Sequence, residues 1–441
     1  MLKEFDGATF LQQFKRRGFD DYPTELAAVR QILTAVRQRG DAAVLAYTER
    51  FDQAKLAALE VTPAEFKAAQ TSVEPQIKAD LQQAADNIAD FHRRQIQQAW
   101  VDYGADGIIL GQRITAIDRV GAYVPGGAAA YPSSVLMTVI PARIAGVGEV
   151  IMVTPPQADG SINPYTLVAA QIAGVDAVYK CGGAQAIGAL AYGTASIRRV
   201  DKIVGPGNLY VTLAKREVAG VVGIDMLAGP SEVLVVADET ARTEFVAADL
   251  LAQAEHDPLA AAYCVTTSVR LAAELPAELQ RQCAALDRQA VAQQSLTTQG
   301  ALVTVATLAE ALEIVNLLAP EHLELQIADP WAALGQIRHA GAIFLGAYTP
   351  EPLGDYWAGP NHVLPTSGAG RFSSVLSVDD FIKKTSVLAY SPAALLKCSA
   401  AVENIAAVEG LTAHSSAVAR RRKLLEQENG KCSSSDERNR D

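Results

Sequence analysis

Apolar positions through residues 1–100 fall at helical spacing. Ile77, Leu81, Ala84, Ile88 and Phe91 share one face of a helix, and Thr62-Pro-Ala-Glu65 is a capping box with proline at the first helical position. His92 closes the Ile77 helix beside Arg93 and Arg94, which reads as a surface or capping position. From Gly107 the period changes. Short apolar runs at 108–110, 114–124, 149–154, 177–180 and 201–204 predict strands, and helices are expected between them at 134–145, 165–172, after Gly182, and at 208–218. Such alternation predicts a parallel sheet wrapped by helices.

The alternation resumes at Ala228 with strands expected at 228–238, 260–266, 301–305 and 340–346, and helices at 241–255 and after Thr307. Pro350 to His362 is too rich in proline and glycine to be regular, and the chain after Asp379 turns helical and polar. From Cys432 it reads as a disordered tail. The fold class is α/β: two Rossmann-like, incompletely doubly wound units with N-terminal helices and a helical C-terminal arm.

The 441 residues allow two or three domains, and a net charge of −11 argues against nucleic acid or an anionic membrane as partner. The N-terminus carries acidic residues where a secretory signal needs an apolar run, and Pro141 and Arg143 interrupt the apolar stretch at 135–153. A cytoplasmic protein without membrane spans is expected. Five scattered cysteines without a Cys-x-x-Cys fit reduced thiols better than a disulfide frame or a thiolate zinc site.

Six histidines make each one informative. Glu321 and His322 are adjacent bases of different strength, and Asp355 and His362 add groups for metal or proton transfer in what reads as a loop at the carboxyl end of a strand. Gln253 and His256 lie three apart at the end of a helix, so they share a face; taken alone, a plain polar helix end is the favoured reading of the pair. Glu409 and His414 form a similar pair. Gln253, His256, Asp355 and His414 together would make a nitrogen and oxygen site for a divalent metal. Gly-rich turns at Gly126, Gly182 and Gly205-Pro-Gly207 stand where open α/β sheets hold ligands, although ordinary turn chemistry also explains them. No G-x-G-x-x-G or Walker motif is present.

In order along the chain come Gly121-Ala-Tyr-Val-Pro-Gly-Gly127, Tyr131-Pro-Ser-Ser-Val-Leu-Met137, Gly182-Gly-Ala-Gln-Ala-Ile187 and Asp201-Lys-Ile-Val-Gly-Pro-Gly-Asn208. Ala228-Gly-Pro-Ser-Glu-Val233, the Asp249 to Pro258 segment, Pro320-Glu-His-Leu-Glu324, Gly354-Asp-Tyr356 and Gly359-Pro-Asn-His-Val-Leu-Pro365 follow. Over about residues 20 to 420 this set resembles the histidinol dehydrogenases. The resemblance implies oxidation of L-histidinol to L-histidine through the aldehyde, with two NAD+ and one zinc ion per subunit. It implies Gln253, His256, Asp355 and His414 as zinc ligands, His322 as the base for the hydroxyl proton, and Glu321 as the activator of water. Ser231, His362 and Glu409 would contact substrate, and Tyr123, Gln185 and Asn208 would contact NAD. A homodimer is implied, with Glu409 and His414 completing the neighbour's site.

The corresponding division is a helical segment at 1–20, a zinc and substrate domain at 21–122 plus 231–378, an NAD domain at 123–230, and a C-terminal arm and tail at 379–441. Sister enzymes on this scaffold oxidise other alcohols, including sulfonated diols; Glu409 favours histidinol over a sulfonate, for which an arginine-lined pocket is expected. A zinc hydrolase leaves the two α/β units with Gly-rich turns unexplained. A two-lobed solute-binding protein fits poorly with an N-terminus lacking a signal and with loops so rich in His, Glu and Asp.

Overall fold

The computed structural model, which describes residues 2–14, 21–126 and 130–436, contains two parallel sheets. In the five-stranded sheet the order is Ala177–Lys180, Glu149–Thr154, Arg119–Tyr123, Lys202–Val204, Gly223–Ile224, every pair parallel. Its strands read as unbroken apolar runs because both faces are covered. Val150 and Met152 pack into one cluster with the helices Pro132–Ile144 and Pro164–Ala173, while Ile151 and Val153 point into another with Gly183–Tyr192 and Leu209–Val218. The helices Pro23–Arg39 and Asp41–Asp52 belong to that second cluster through Val29, Ile32, Leu33, Val36 and Val44. The chain leaves Arg119–Tyr123 toward one side of the sheet and later crosses to the other. The crevice of an open α/β sheet therefore opens between the ends of Arg119–Tyr123 and Lys202–Val204.

The six-stranded sheet runs Lys3–Asp6, Ala301–Thr304, Ala261–Thr266, Glu232–Ala237, His322–Gln326, Ala342–Leu345, again all parallel. Leu323 and Leu325 enter the cluster on one face. By the two-residue period of a strand, His322, Glu324 and Gln326 are left for the other. Both sheets lie in one compact unit, residues 1–96 and 116–381. The second unit, 97–115 and 382–441, holds Trp100–Tyr103 antiparallel to Ile109–Ala116, the neighbouring strand Ile382–Ala389, and the paired helices Pro392–Val408 and Thr412–Asp436. Among the described residues no helix is long and apolar enough to cross a membrane.

The α/β reading stands, with local corrections. The N-terminal segment is not purely helical: Lys3–Asp6 is an edge strand, followed by the helix Gly7–Gln13, and residues 15–20 lie outside the described ones. Pro320 to Glu324 leads into a central strand whose polar and apolar alternation, His-Leu-Glu-Leu-Gln, was legible in principle. The irregular loop expected from Pro350 contains the helix Glu351–Tyr356, which starts on Pro350 as its cap. A strand, Ile382–Ala389, precedes the C-terminal helices. The last helix runs to Asp436 rather than giving way to disorder at Cys432, in keeping with the Arg-, Lys-, Leu- and Glu-rich run that feeds it; residues 437–441 lie outside the described ones.

His92 is not at the surface. It is fully buried, its Nδ1 lies 2.7 Å from Gln95 Oε1, and its Nε2 faces the Asn361 amide at 3.4 Å. Burial lowers its pKa, so it packs as a neutral ring. A histidine beside two arginines looks exposed in sequence, but Asn361 approaches from 269 residues away.

Candidate active site

The helix Leu308–Leu318 ends on Ala319 in left-handed geometry (φ 44°), and Pro320 turns the chain into its strand. Glu321 and His322 thereby stand at the amino end of His322–Gln326, beside the start of Glu232–Ala237. This corrects the expectation of a site at the carboxyl end of a strand. The helix Thr243–Ala254 follows a strand and returns antiparallel to the sheet, so its last turn, with Gln253, arrives at the strands' amino ends.

The contacts here are dense. Glu321 Oε2 accepts from the Glu232 N–H at 2.9 Å, and its carboxyl is also hydrogen-bonded to Ser231. His322 Nδ1 lies 3.3 Å from the Glu232 carbonyl and 3.1 Å from Gln253 Oε1. Both neighbours are acceptors, so Nδ1 carries the proton and donates. The lone pair is left on Nε2, which is buried and has no hydrogen-bond partner among the described residues. Burial lowers the pKa of His322 to about 4, so the ring is neutral near pH 7 and able to take a proton. Burial raises the Glu321 carboxyl well above its ordinary value, a push opposed by the hydrogen bond from the Glu232 N–H.

Gln253 Nε2 is 3.2 Å from Nδ1 of His256. His362 Nδ1 lies 3.1 Å from the Asp355 carbonyl and 3.9 Å from its carboxylate, and Nε2 is 3.3 Å from the Ser134 hydroxyl. Donor atoms of His322, Glu351 and Asp355 lie within 4.8 Å of one another. Glu351 was absent from the sequence-based set. Its signal was the spacing: Glu351 and Asp355 are four apart, one face of a helix once the segment is helical. Glu351 Oε2 is buried and without a partner among the described residues. Nitrogen and oxygen donors, surplus negative charge and unpartnered buried atoms fit a divalent ion such as zinc, with no sulfur required.

The structure thus brings together Ser231, Gln253, Glu321, His322, Asp355 and His362, with His256 on Gln253. Tyr123 and Gln185 meet at the five-stranded sheet: Tyr123 is buried at the end of its strand, its hydroxyl accepts from Gly183 N–H at 3.1 Å, and Gln185 follows two residues later. The Gln185 Oε1 is buried without a partner among the described residues. Asn208 caps the next helix across the crevice, its Oδ1 accepting from Val211 N–H at 3.2 Å. These groups, close to Gly-rich backbone, fit a dinucleotide. Glu409 and His414 are exposed on the helical part of the second unit.

Behind the site lies a carboxyl pair. Glu324 is almost fully buried, accepts from Glu351 N–H at 2.9 Å, and shares a hydrogen bond with Asp249, while Gln326 Nε2 reaches both carboxylates. Burial, then the charge of Asp249, pushes Glu324 up to about 8. The folded chain holds a proton there that the unfolded chain loses near pH 4.5. Stability is therefore expected to fall as pH rises from about 4.5 to 8. Glu324→Gln should flatten that slope and melt a few degrees above the parent at pH 8; thermal melts across the window check it, and a variant with an unchanged slope counts against the pair.

The family profile described as histidinol dehydrogenase matches residues 15–422. A histidinol dehydrogenase of Clostridium acetobutylicum is 50% identical over 413 residues, 94% of this chain and 96% of that one. That of Geobacillus kaustophilus is 54% identical over 391 residues, 89% and 92% of the two chains. The crystal structure of histidinol dehydrogenase from Elizabethkingia anophelis superposes with a TM-score of 0.89 at 36% identity, covering 97% of this chain and 98% of that one.

Proposed function

The chain belongs to the histidinol dehydrogenase family, and from that premise we propose that it oxidises L-histidinol to L-histidine through L-histidinaldehyde, with zinc and two NAD+. The observation that carries the reading is the buried, unpartnered Nε2 of His322, on a ring whose Nδ1 lies 3.8 Å from both the Glu321 and the Glu351 carboxylates. Bound zinc would orient the substrate and polarise its reacting end, and bound NAD+ would accept hydride.

Gln253, His256 and Asp355 would hold the metal, with His414 as the fourth protein ligand. His322 Nε2 takes the hydroxyl proton as the alcohol becomes aldehyde, while the Nδ1 contacts to Glu232 and Gln253 keep the ring in place. Glu321, held by the Glu232 N–H and Ser231, takes a proton from the water that adds to the aldehyde. Two bases of different strength suit two successive oxidations of one bound molecule. Ser231, His362 and Glu409 would contact substrate, and Tyr123, Gln185 and Asn208 the dinucleotide. In this reading the working form is a cytoplasmic homodimer whose partner supplies Glu409 and His414, the five-stranded sheet binds NAD and the six-stranded sheet binds substrate and metal.

The test is NADH formed per L-histidinol consumed, with metal stripped and then restored. Two NADH per histidinol, lost on stripping and regained with zinc, is the expected result. One NADH would remove Glu321 from its role. None would move the substrate to another alcohol.

A further inference from the structure

A charged pair with no part in the chemistry above is buried under the crevice of the five-stranded sheet. Lys215, on the helix Leu209–Val218, and Asp225, just after Gly223–Ile224, are in contact, with side chains only 3% and 0% exposed. Burying an ion pair costs more than packing two apolar side chains of the same volume. What apolar groups cannot do is hold a peptide by both of its polar atoms. Here Asp225 Oδ2 accepts from Gly205 N–H at 2.7 Å, and Lys215 Nζ donates to the Gly205 carbonyl at 3.0 Å. The second Asp225 oxygen accepts from Met226 N–H at 2.6 Å.

Gly205 is the residue at which this grip matters. Its φ is +111°, and a Cβ there would lie 2.1 Å from the Tyr123 carbonyl oxygen, so the turn rests directly on the end of the central strand. Three residues later Asn208 caps its helix. The position of the Gly205 peptide thus sets the distance across the crevice between Tyr123 and Asn208.

We propose that Lys215 and Asp225 are positioning residues for the dinucleotide: their ion pair locks the Gly205 peptide and holds the crevice at the width that NAD requires. The inference rests on the reading of Tyr123, Gln185 and Asn208 as the cofactor contacts. It predicts a defect in cofactor binding that leaves the proton-transfer residues intact.

NADH is the probe, titrated by its fluorescence into the full-length protein without histidinol. Asp225→Asn is the isosteric variant, and the double variant Lys215→Met/Asp225→Asn leaves no uncompensated buried charge. Both are expected to raise the Kd for NADH by about 10- to 100-fold, the scale of a small misplacement of binding groups. KM for NAD+ should rise in step, with kcat at saturating NAD+ and KM for histidinol within about threefold of the parent. Asn208→Ala combined with Asp225→Asn should cost less than the product of the single effects, since both act through one turn.

A folded variant whose Kd for NADH stays within about twofold of the parent overturns the proposal, a change too small to be a lost positioning contact. Loss of the fold in both variants also overturns it, because the pair would then hold the sheet rather than the turn. A parent protein that binds no NADH would refute the cofactor reading itself, and this inference with it.

Discussion

Replacing His322 with asparagine is expected to lower kcat for histidinol oxidation by about 10²- to 10⁴-fold, the usual range for removing a general base, while NADH binding stays unchanged. Asparagine keeps a donor for the Glu232 carbonyl and Gln253, so the local packing survives. What disappears is the lone pair on Nε2, a buried acceptor that no group among the described residues occupies. Because burial holds the ring near a pKa of about 4, the base form is present throughout neutral pH, and loss of activity from His322 protonation belongs only to strongly acidic solution. Steady-state rates at saturating NAD+ with a parallel NADH titration make the check. A fall in kcat of less than about tenfold would assign the base to another group.

The second large effect is expected at Glu321. Glu321→Gln should slow oxidation of histidinaldehyde by about 10²- to 10³-fold and leave the first oxidation far less affected, so that NADH per histidinol falls from two toward one. The pH dependence carries the sharper signature. Burial raises the carboxyl's pKa, so below that value it is protonated and cannot receive the proton of water. The ionised fraction grows as pH rises, and the aldehyde step of the parent should accelerate with rising pH. The glutamine variant has nothing to ionise there and should show a flat profile. Rapid-mixing measurements of NADH formation from histidinaldehyde as a function of pH separate the two; parallel profiles would mean that water is activated elsewhere.

Glu321 and His322 were visible in sequence as a pair of different strength, yet the contacts that fix each one's protonation were not. Glu321 and His322 are neighbours in the chain, but one side chain accepts a backbone N–H from the start of an adjacent strand and the other donates toward that residue's carbonyl. The tautomer of His322 depends on Glu232 and Gln253, 90 and 69 residues away. Glu351 was missed for a related reason. Proline and glycine between Pro350 and His362 mask a single helical turn, and only that turn aligns Glu351 with Asp355.

Periodicity, caps and turn residues act over a few neighbours, so the sequence by itself determined the helices before residue 100, the alternating strands and helices of two parallel sheets, and the Gly205 turn. The ordered run of motifs, Gly121 to Pro365, determined the family. Which residues are buried, and against what, depends on chain segments hundreds of positions apart. Only the tertiary structure therefore decided that His92 lies inside, that the helices at 23–52 cover the five-stranded sheet, and that the site sits at the strands' amino ends. It also decided the shifted protonation of His322, Glu321 and Glu324, since desolvation and neighbouring charge arise only when the chain has closed around them.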